Sequence, residues 1–295
     1  MFGKEEAISN LQEKKILSYL SGKQFRDENF PVASLIISKE IRKTIRIFYQ
    51  FARMSDDISD NNRLSKGNKQ KILNFFEQKI KDTESSDISI LNNIIQLFKV
   101  LPSAKKYSLE LLKAFMIDTK KKRYKTFEEL IFYCSYSANP VGRFFIYTTY
   151  KLKKIQLDNK IEIFKSSDSL CTALQIINHI QDCQDDFNDY DRVYIPLDYF
   201  RRFSLDVSVL KKKKAPIDFI FLKNELISKV EDLLLDTANG LKLIKEWRLR
   251  KETFIILNVA KRLCFLLKNN DPLEKKIKLT RIDLIFCFIK AIIYD

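Results

Sequence analysis

The chain has 295 residues, 45% of them hydrophobic, and a formal net charge of +15 with a pI near 9.4. There is enough apolar material for a substantial core in one domain, and the basic balance suits nucleic acid, an anionic membrane surface or a phosphorylated substrate, unless it is a general lysine bias. The runs 120-KKKR-123 and 211-KKKK-214 read as solvated faces or loops without interleaved aromatics, and nothing has zinc-finger spacing, which argues against a nucleic-acid partner.

Only five glycines and six prolines punctuate the chain, and the segments between them are rich in helix formers, so the expectation is an all-α fold in a single domain, 1–295. After 28-ENFPVAS-34, a helix is predicted through 49-YQFARMSDDISD-60 to Asn61. Further helices are predicted over 69–81, over 88–101 ahead of Pro102, and over 108–121. Thr126 with Glu129 makes a capping box for the next helix, which runs into 133-YCSYSANPVGR-143. There Pro140 predicts a kink, and Ser135, Ser137, Ala138 and Gly142 either open space for a long chain or let helices pack closely.

A long helix is predicted from Asp168 through Phe187, stopped by the polar loop 188–198. Helices over 218–245, 251–268 and 282–295 follow, separated by a basic loop at 211–216 and by 269-NNDP-272. The last, 282-IDLIFCFIKAIIYD-295, is too short to span a bilayer and reads as a buried terminal helix, with a surface anchor as the alternative. The N-terminus lacks the apolar core of a signal peptide, and five cysteines without a CxxC pair imply neither a disulfide framework nor structural zinc. The expected setting is a reducing cytoplasm.

Two segments concentrate acid in this basic chain. Asp56 and Asp60 stack one turn apart, Arg53 and Tyr49 extend their stripe backward, and Asp57 points about 100° away. Asn178, Asp182 and Asp186 form a second column, with Asp185 adjacent and Gln175 on the same face. Like charges so spaced repel, and hard oxygen ligands without a histidine or thiolate cluster suit Mg²⁺, with Mn²⁺ as a substitute. Facing one another in a bundle, the two columns would clamp a diphosphate through the metal, with Arg53, Arg192 and Tyr194 donating to phosphate oxygens. His179, the single histidine, reads as a bystander, and Cys134 and Cys183 as small apolar fillers.

The order of these residues resembles the squalene/phytoene synthase family. Tyr49, Arg53, Asp56, Asp57 and Asp60 match its first motif, and Gln175, Asn178, Asp182, Asp185, Asp186, Arg192, Val193, Tyr194 and Pro196 its second. Tyr133, Cys134, Ala138, Val141 and Gly142 match its intervening pocket motif, and Arg123 with Tyr124 resembles a family segment near the site. The resemblance covers residues 28–265 and implies an isoprenoid-synthase helical bundle with a central cavity. It implies metal ligands at Asp56, Asp57, Asp60, Asn178, Asp182, Asp185 and Asp186, with Asp56, Asp60, Asp182, Asp186 and Arg53 carrying catalysis. Substrate would be held by Tyr49, Arg53, Gln175, Asn178, Arg192, Tyr194, Tyr133, Ala138, Val141 and Gly142.

Within the family, ENFPVAS, YCSYSANPVGR and LQIINHIQDCQDDFNDYDRVYIPLD are most similar to the bacterial hydroxysqualene synthase branch. That branch implies Mg²⁺-assisted ionisation of presqualene diphosphate and capture of the rearranged cation by water, without NADPH. Gln181 replaces the arginine usual in phytoene and squalene synthases, and 187-FNDYDR-192 is one residue longer than their pattern. Head-to-head prenyl transfer to presqualene diphosphate, squalene or phytoene is the alternative activity, and a non-catalytic assembly factor the alternative class. A prenyl diphosphate substrate and transient contact with the inner membrane face are expected, while the oligomeric state is not legible.

Overall fold

The computed structural model describes residues 16–21 and 36–293; the segment 28–34 and the last two residues lie outside the described residues. Among the described residues there is no β-strand, only an isolated bridge between Arg123 and Val193, so the fold is all-α. They fall into two compact units, one containing Ser38–Lys120 and the other Lys121–Asp295.

The first unit is built from α1 (Lys39–Asp60), α2 (Lys66–Asp82), α3 (Ser89–Val100) and α4 (Ser103–Asp118). Ile41, Ile45, Phe48, Phe51, Met54 and Ile58 recur at three- and four-residue intervals along α1 and are all buried, so one face of α1 packs against α3 and α4. Residues 36–38 form a turn, so α1 begins later than the periodicity predicts. α4 begins five residues earlier than expected because Pro102 takes the N-cap, where a missing N–H leaves no intrahelical bond unmade. It stops at Asp118, where the Thr119 hydroxyl donates back to the Met116 carbonyl at 2.8 Å.

The second unit contains α5 (Phe127–Ser137), α6 (Asn139–Lys153), α7 (Lys160–Gln181), α8 (Cys183–Tyr190), α9 (Leu197–Arg202), a 3₁₀ turn (Val207–Lys211), α10 (Ile217–Leu235), α11 (Thr237–Leu241), α12 (Trp247–Asn269) and α13 (Arg281–Ile293). α7 is its hub and packs against α5, α6, α10, α11 and α12. Close approach there depends on small residues. A Cβ on Gly240 of α11 would stand 2.6 Å from the Glu162 carbonyl oxygen and 2.9 Å from Ser166 Cβ, and one on Gly142 of α6 would meet Cys171 Sγ at 2.6 Å. At Gly142 the small-residue stretch therefore serves tight packing of α6 on α7.

Several expected elements are divided. The kink at Pro140 is a full break: Ala138 leaves helical geometry (φ −126°, ψ −48°), and Pro140 sits in the first turn of α6, where it is tolerated. The helix expected over 218–245 breaks at Asp236, which separates α10 from α11. α7 starts eight residues ahead of Asp168, whose side chain instead accepts from Arg143 Nε at 2.8 Å. Burial raises the Asp168 carboxyl above its ordinary range, against the pull of that guanidinium. Lys223 of α10 is wholly buried and donates to the Leu267 and Asn270 carbonyls, the latter at 2.7 Å, satisfying the C-terminal end of α12.

The last helix corrects the reading of a buried terminal element. α13 buries only Asp283, Cys287 and Ala291, which lie at four-residue spacing and face α12. Its large apolar residues are exposed.

Candidate active site

The first acidic motif closes α1. Arg53 Nη1 lies 2.9 Å from Asp56 Oδ2, and Nη2 lies 2.8 Å from Asp57 Oδ1, so the guanidinium predicted to meet phosphate is oriented by two carboxylates of its own helix. Asp57 is buried, and its second oxygen accepts from the Ser21 backbone N–H at 2.9 Å. With both oxygens engaged, Asp57 orients Arg53 and anchors residues 16–21, a different task from the ligand role implied by the resemblance.

Asp56 and Asp60 keep the expected common face, and Asp118 at the end of α4 adds a third negative charge that sequence spacing could not bring there. The Asp56 carboxyl is pushed well above its ordinary range, first by burial, then by Asp60, with Asp57 and Asp118 adding and Arg53 opposing. Crowded hard-oxygen donors of this kind fit a divalent cation. Among the described residues no three His, Cys, Asp or Glu side chains form a ready-made metal shell.

The second motif straddles a helix junction instead of lying on one long helix. α7 ends at Gln181, and Asp182 (φ −104°, ψ 10°) leads into α8. The four-residue ladder nevertheless continues, with Asp182 N–H donating to Asn178 O at 2.9 Å and Asp186 N–H to Asp182 O at 2.8 Å. Asn178, Asp182 and Asp186 therefore remain successive steps of one column. Asp191 adopts a left-handed conformation (φ 52°) that ends α8, and Arg192 N–H returns to the Asp186 carbonyl at 3.0 Å.

Arg192 is buried, with its guanidinium over the Tyr190 ring and Nη1 3.3 Å from the Tyr194 hydroxyl. Val193 N–H donates to Lys122 O at 2.9 Å and Leu197 N–H to Tyr124 O at 2.8 Å, so residues 122–125 run alongside 193–198. Residues 121–123 of the basic run are consequently more than a solvated face. Arg123 pairs with Asp191 at 2.5 Å, Lys122 donates to the Tyr190 carbonyl, and Lys121 pairs with Glu129 at 2.9 Å beneath the Tyr124 ring. Glu129 also accepts from Lys125 N–H while Thr126 Oγ1 caps Glu129 N–H, so the capping box is displaced by one residue.

Tyr124, Tyr133, Tyr194 and His179 form one buried aromatic cluster. Tyr194 stacks on His179 with centroids 3.6 Å apart, and Tyr124 and Tyr133 each lie 5.4 Å from Tyr194. Gln175 Nε2 is 3.2 Å from His179 Nε2, and His179 Nδ1 is 3.9 Å from Asp186 Oδ2. His179 is therefore integral to the second motif: it links Gln175, Tyr194 and Asp186, where sequence spacing put it one step off the polar stripe. Of the pocket residues, Tyr133 and Ala138 are buried, Gly142 packs on α7, and Val141 is exposed.

Sequence reasoning also missed Lys276. Its ammonium lies 2.8 Å from Asp182 Oδ1 and 3.5 Å from Asp185 Oδ2. Burial alone would depress this amine, but its hydrogen bonds to, and the charges of, the two aspartates outweigh that and raise it above the ordinary lysine value. Gln181, in the place of the arginine usual in phytoene and squalene synthases, is buried and donates through Nε2 to the Ile277 carbonyl at 2.6 Å. The amide thus tethers the 271–280 segment, and the adjacent Lys276 brings a cation to the motif. Cys183 is buried between the acidic residues, and burial pushes its thiol far up; Cys171 is pushed to about 12 in the same way. Neither is an activated nucleophile.

The squalene/phytoene synthase family model matches residues 25–283. A hydroxysqualene synthase of Sinorhizobium fredii is 34% identical over 262 residues, covering 88% of this chain and 86% of that protein. One from Rhodopseudomonas palustris is 33% identical, covering 92% and 90%. Among solved structures, a dehydrosqualene synthase in complex with ligand superposes with a TM-score of 0.78 at 19% identity, over 96% of this chain and 98% of that one, a likeness of fold. With both acidic motifs, the tyrosine cluster and the family match along the same residues, the chain belongs to the squalene/phytoene synthase family.

Proposed function

We propose that the chain converts presqualene diphosphate and water to hydroxysqualene and diphosphate, as a carbon–oxygen lyase dependent on Mg²⁺ and independent of NADPH. The observation carrying this reading over head-to-head prenyl transfer is the state of residue 181. The Gln181 amide is buried and spent on the Ile277 carbonyl, so the phosphate clamp that an arginine offers phytoene and squalene synthases is lacking there. The similarity to hydroxysqualene synthases over about nine-tenths of the chain supports the same reading.

The reaction asks for charge stabilisation more than for acid or base groups. Asp56 and Asp60 on one motif, and Asn178, Asp182 and Asp186 on the other, would hold Mg²⁺, which when bound neutralises the departing diphosphate and its bridging oxygen. Arg53 and Arg192 direct guanidinium charge beside the motifs, where the leaving group's negative charge develops. Breaking the C–O bond leaves an allylically unactivated cyclopropylcarbinyl cation that rearranges. The buried rings of Tyr124, Tyr133 and Tyr194 pack on one another and on His179, an aromatic wall that would shield such a cation from bulk water. One water then adds to the cation and loses its proton, giving the alcohol.

Purified protein given presqualene diphosphate and Mg²⁺ releases one diphosphate per C30 alcohol formed and leaves farnesyl diphosphate unused. A hydrocarbon product, or consumption of farnesyl diphosphate alone, overturns the assignment.

A further inference from the structure

α13 is amphipathic in the wrong sense for a helix packed on a core. The face turned to α12 carries Asp283, Cys287 and Ala291, and it is fastened by polar contacts: Arg262 Nε to Asp283 Oδ1 at 2.6 Å, Asn258 Nδ2 to the Cys287 carbonyl at 3.2 Å, and Lys251 Nζ to the Ala291 and Ile292 carbonyls at 3.2 and 3.1 Å. The opposite arc presents Ile282, Ile285, Phe286, Ile289, Ile292 and Ile293, with exposures of 45–67%. At 100° per residue these side chains, with Leu284 and Phe288, span roughly 200° of the helix, far wider than a scatter of surface apolar residues. Along its one edge, α12 adds Phe265, 54% exposed, to the same surface.

Between α12 and α13 runs a groove of about 440 Å³ walled by Phe265, Ile282 and Phe286 and flanked by Lys261 and Lys290. The approach to α13 is also basic: Lys275, Lys278 and Arg281 are exposed, against Glu274 alone, while Lys276 is paired with Asp182 and Asp185. The single acid on the helix, Asp283, is buried against Arg262. No helix among the described residues is long and apolar enough to cross a membrane, so this surface does not mark a spanning segment.

We propose that α13 is an interfacial helix that lies in the surface of an anionic bilayer, with the α12–α13 groove seating a phosphate headgroup between Lys261 and Lys290. Charge decides between the two obvious occupants. A second copy of the chain apposed through α13 brings the same basic rim against itself, whereas anionic headgroups complement the rim and acyl chains complement the apolar arc. The surface contains no residue of either acidic motif, so it does not depend on the reaction assigned to them. A chain releasing an uncharged C30 alcohol would nonetheless gain from delivering it at such a surface.

The test is flotation of the full chain with vesicles of phosphatidylcholine and phosphatidylglycerol in equal parts, with phosphatidylcholine alone as the comparison. The protein floats with the anionic vesicles, and raising the salt concentration releases it. Phe286→Glu with Ile289→Glu lowers the partition ~10-fold or more, while circular dichroism is unchanged because both positions are solvent-exposed. Lys261→Glu with Lys290→Glu abolishes the preference for anionic over neutral vesicles. Failure of the wild-type chain to float with anionic vesicles, or flotation undiminished in the Phe286/Ile289 variant, overturns the proposal. So does a stable dimer, measured by light scattering, that this variant converts to monomer.

Discussion

Lys276 lies against two of the aspartates proposed to hold metal at the second motif, and its removal tests that proposal. The ammonium is 2.8 Å from Asp182 and 3.5 Å from Asp185, but its side chain is 45% exposed and those of the aspartates are 30% and 63% exposed, so solvent screens the pair heavily. An ion pair of that exposure contributes about 0.5–1 kcal/mol. A cation that takes Asp182 must displace the ammonium, so Lys276→Met tightens metal binding by the same energy, roughly 2–5-fold. Mn²⁺ titration followed by electron paramagnetic resonance reads this directly, without substrate. Gln181→Leu, which frees the Ile277 carbonyl, moves affinity the same way by a smaller factor and lowers stability by about 1–3 kcal/mol because a buried acceptor is left unmade. The reasoning is refuted if Lys276→Met weakens Mn²⁺ binding or leaves it unchanged. If Asp182→Asn binds Mn²⁺ like the wild type, Asp182 is not a ligand at all.

Three further outcomes follow from packing and charge. Gly240→Ala drives a Cβ to within 2.6 Å of the Glu162 carbonyl, so overpacking of about 1–3 kcal/mol outweighs the roughly 1 kcal/mol that alanine contributes to a helix, and urea unfolding shows a net loss. An unchanged or raised midpoint would mean that α11 and α7 separate freely. Asp57→Asn lowers stability and disturbs the Arg53 orientation, whereas Asp60→Asn stabilises the metal-free chain at pH 7 by relieving Asp56; equal effects from the two would erase the distinction drawn between them. Burial depresses the Lys223 amine, so near the top of the alkaline range the unfolded chain binds more protons than the folded one. Stability of the wild type relative to Lys223→Met therefore rises as pH climbs toward 10.5, and a flat or falling difference in denaturant midpoints rejects the assignment.

Much of the fold was legible because helix formers and three- to four-residue apolar spacing act locally. Ile41 through Ile58 announce the buried face of α1, and the first acidic motif lies on that helix as read, whereas the second, expected on one long helix, is split by the junction at Asp182. Boundaries were less legible, since Pro102 and Pro140 start helices here, while the sequence reading took the first as a stop and the second as a kink. At α13 the preferred reading of a buried helix failed, with the surface anchor left as its alternative, for a different reason. Apolarity was read as burial, but the face that packs is the one bearing Asp283, Cys287 and Ala291, because Arg262, Asn258 and Lys251 supply partners for its polar groups. Asp118 and Lys276 reach the acidic motifs from distant positions, and no local spacing carries that information.

The break at Asp182 is a departure from regular helix that leaves the acidic column of the second motif intact. In an uninterrupted helix Asp182 would keep helical dihedrals and the chain would continue along the α7 axis; instead ψ opens to 10° and α8 sets out afresh. Because the bonds from Asp182 to Asn178 and from Asp186 to Asp182 both survive, the turn redirects the backbone without dissolving the column. The redirected segment then ends in the left-handed Asp191, whose carboxylate is held by Arg123, and the chain returns as 193–198 beside 122–125. Tyr194 is thereby stacked on His179, which reaches Asp186 on one side and Gln175 on the other. Lys122 and Arg123 of the basic run are the outer support of this arrangement. Their charge answers carbonyls and carboxylates of the second motif, which is a structural use for part of the +15 that composition alone left open among nucleic acid, membrane and phosphate.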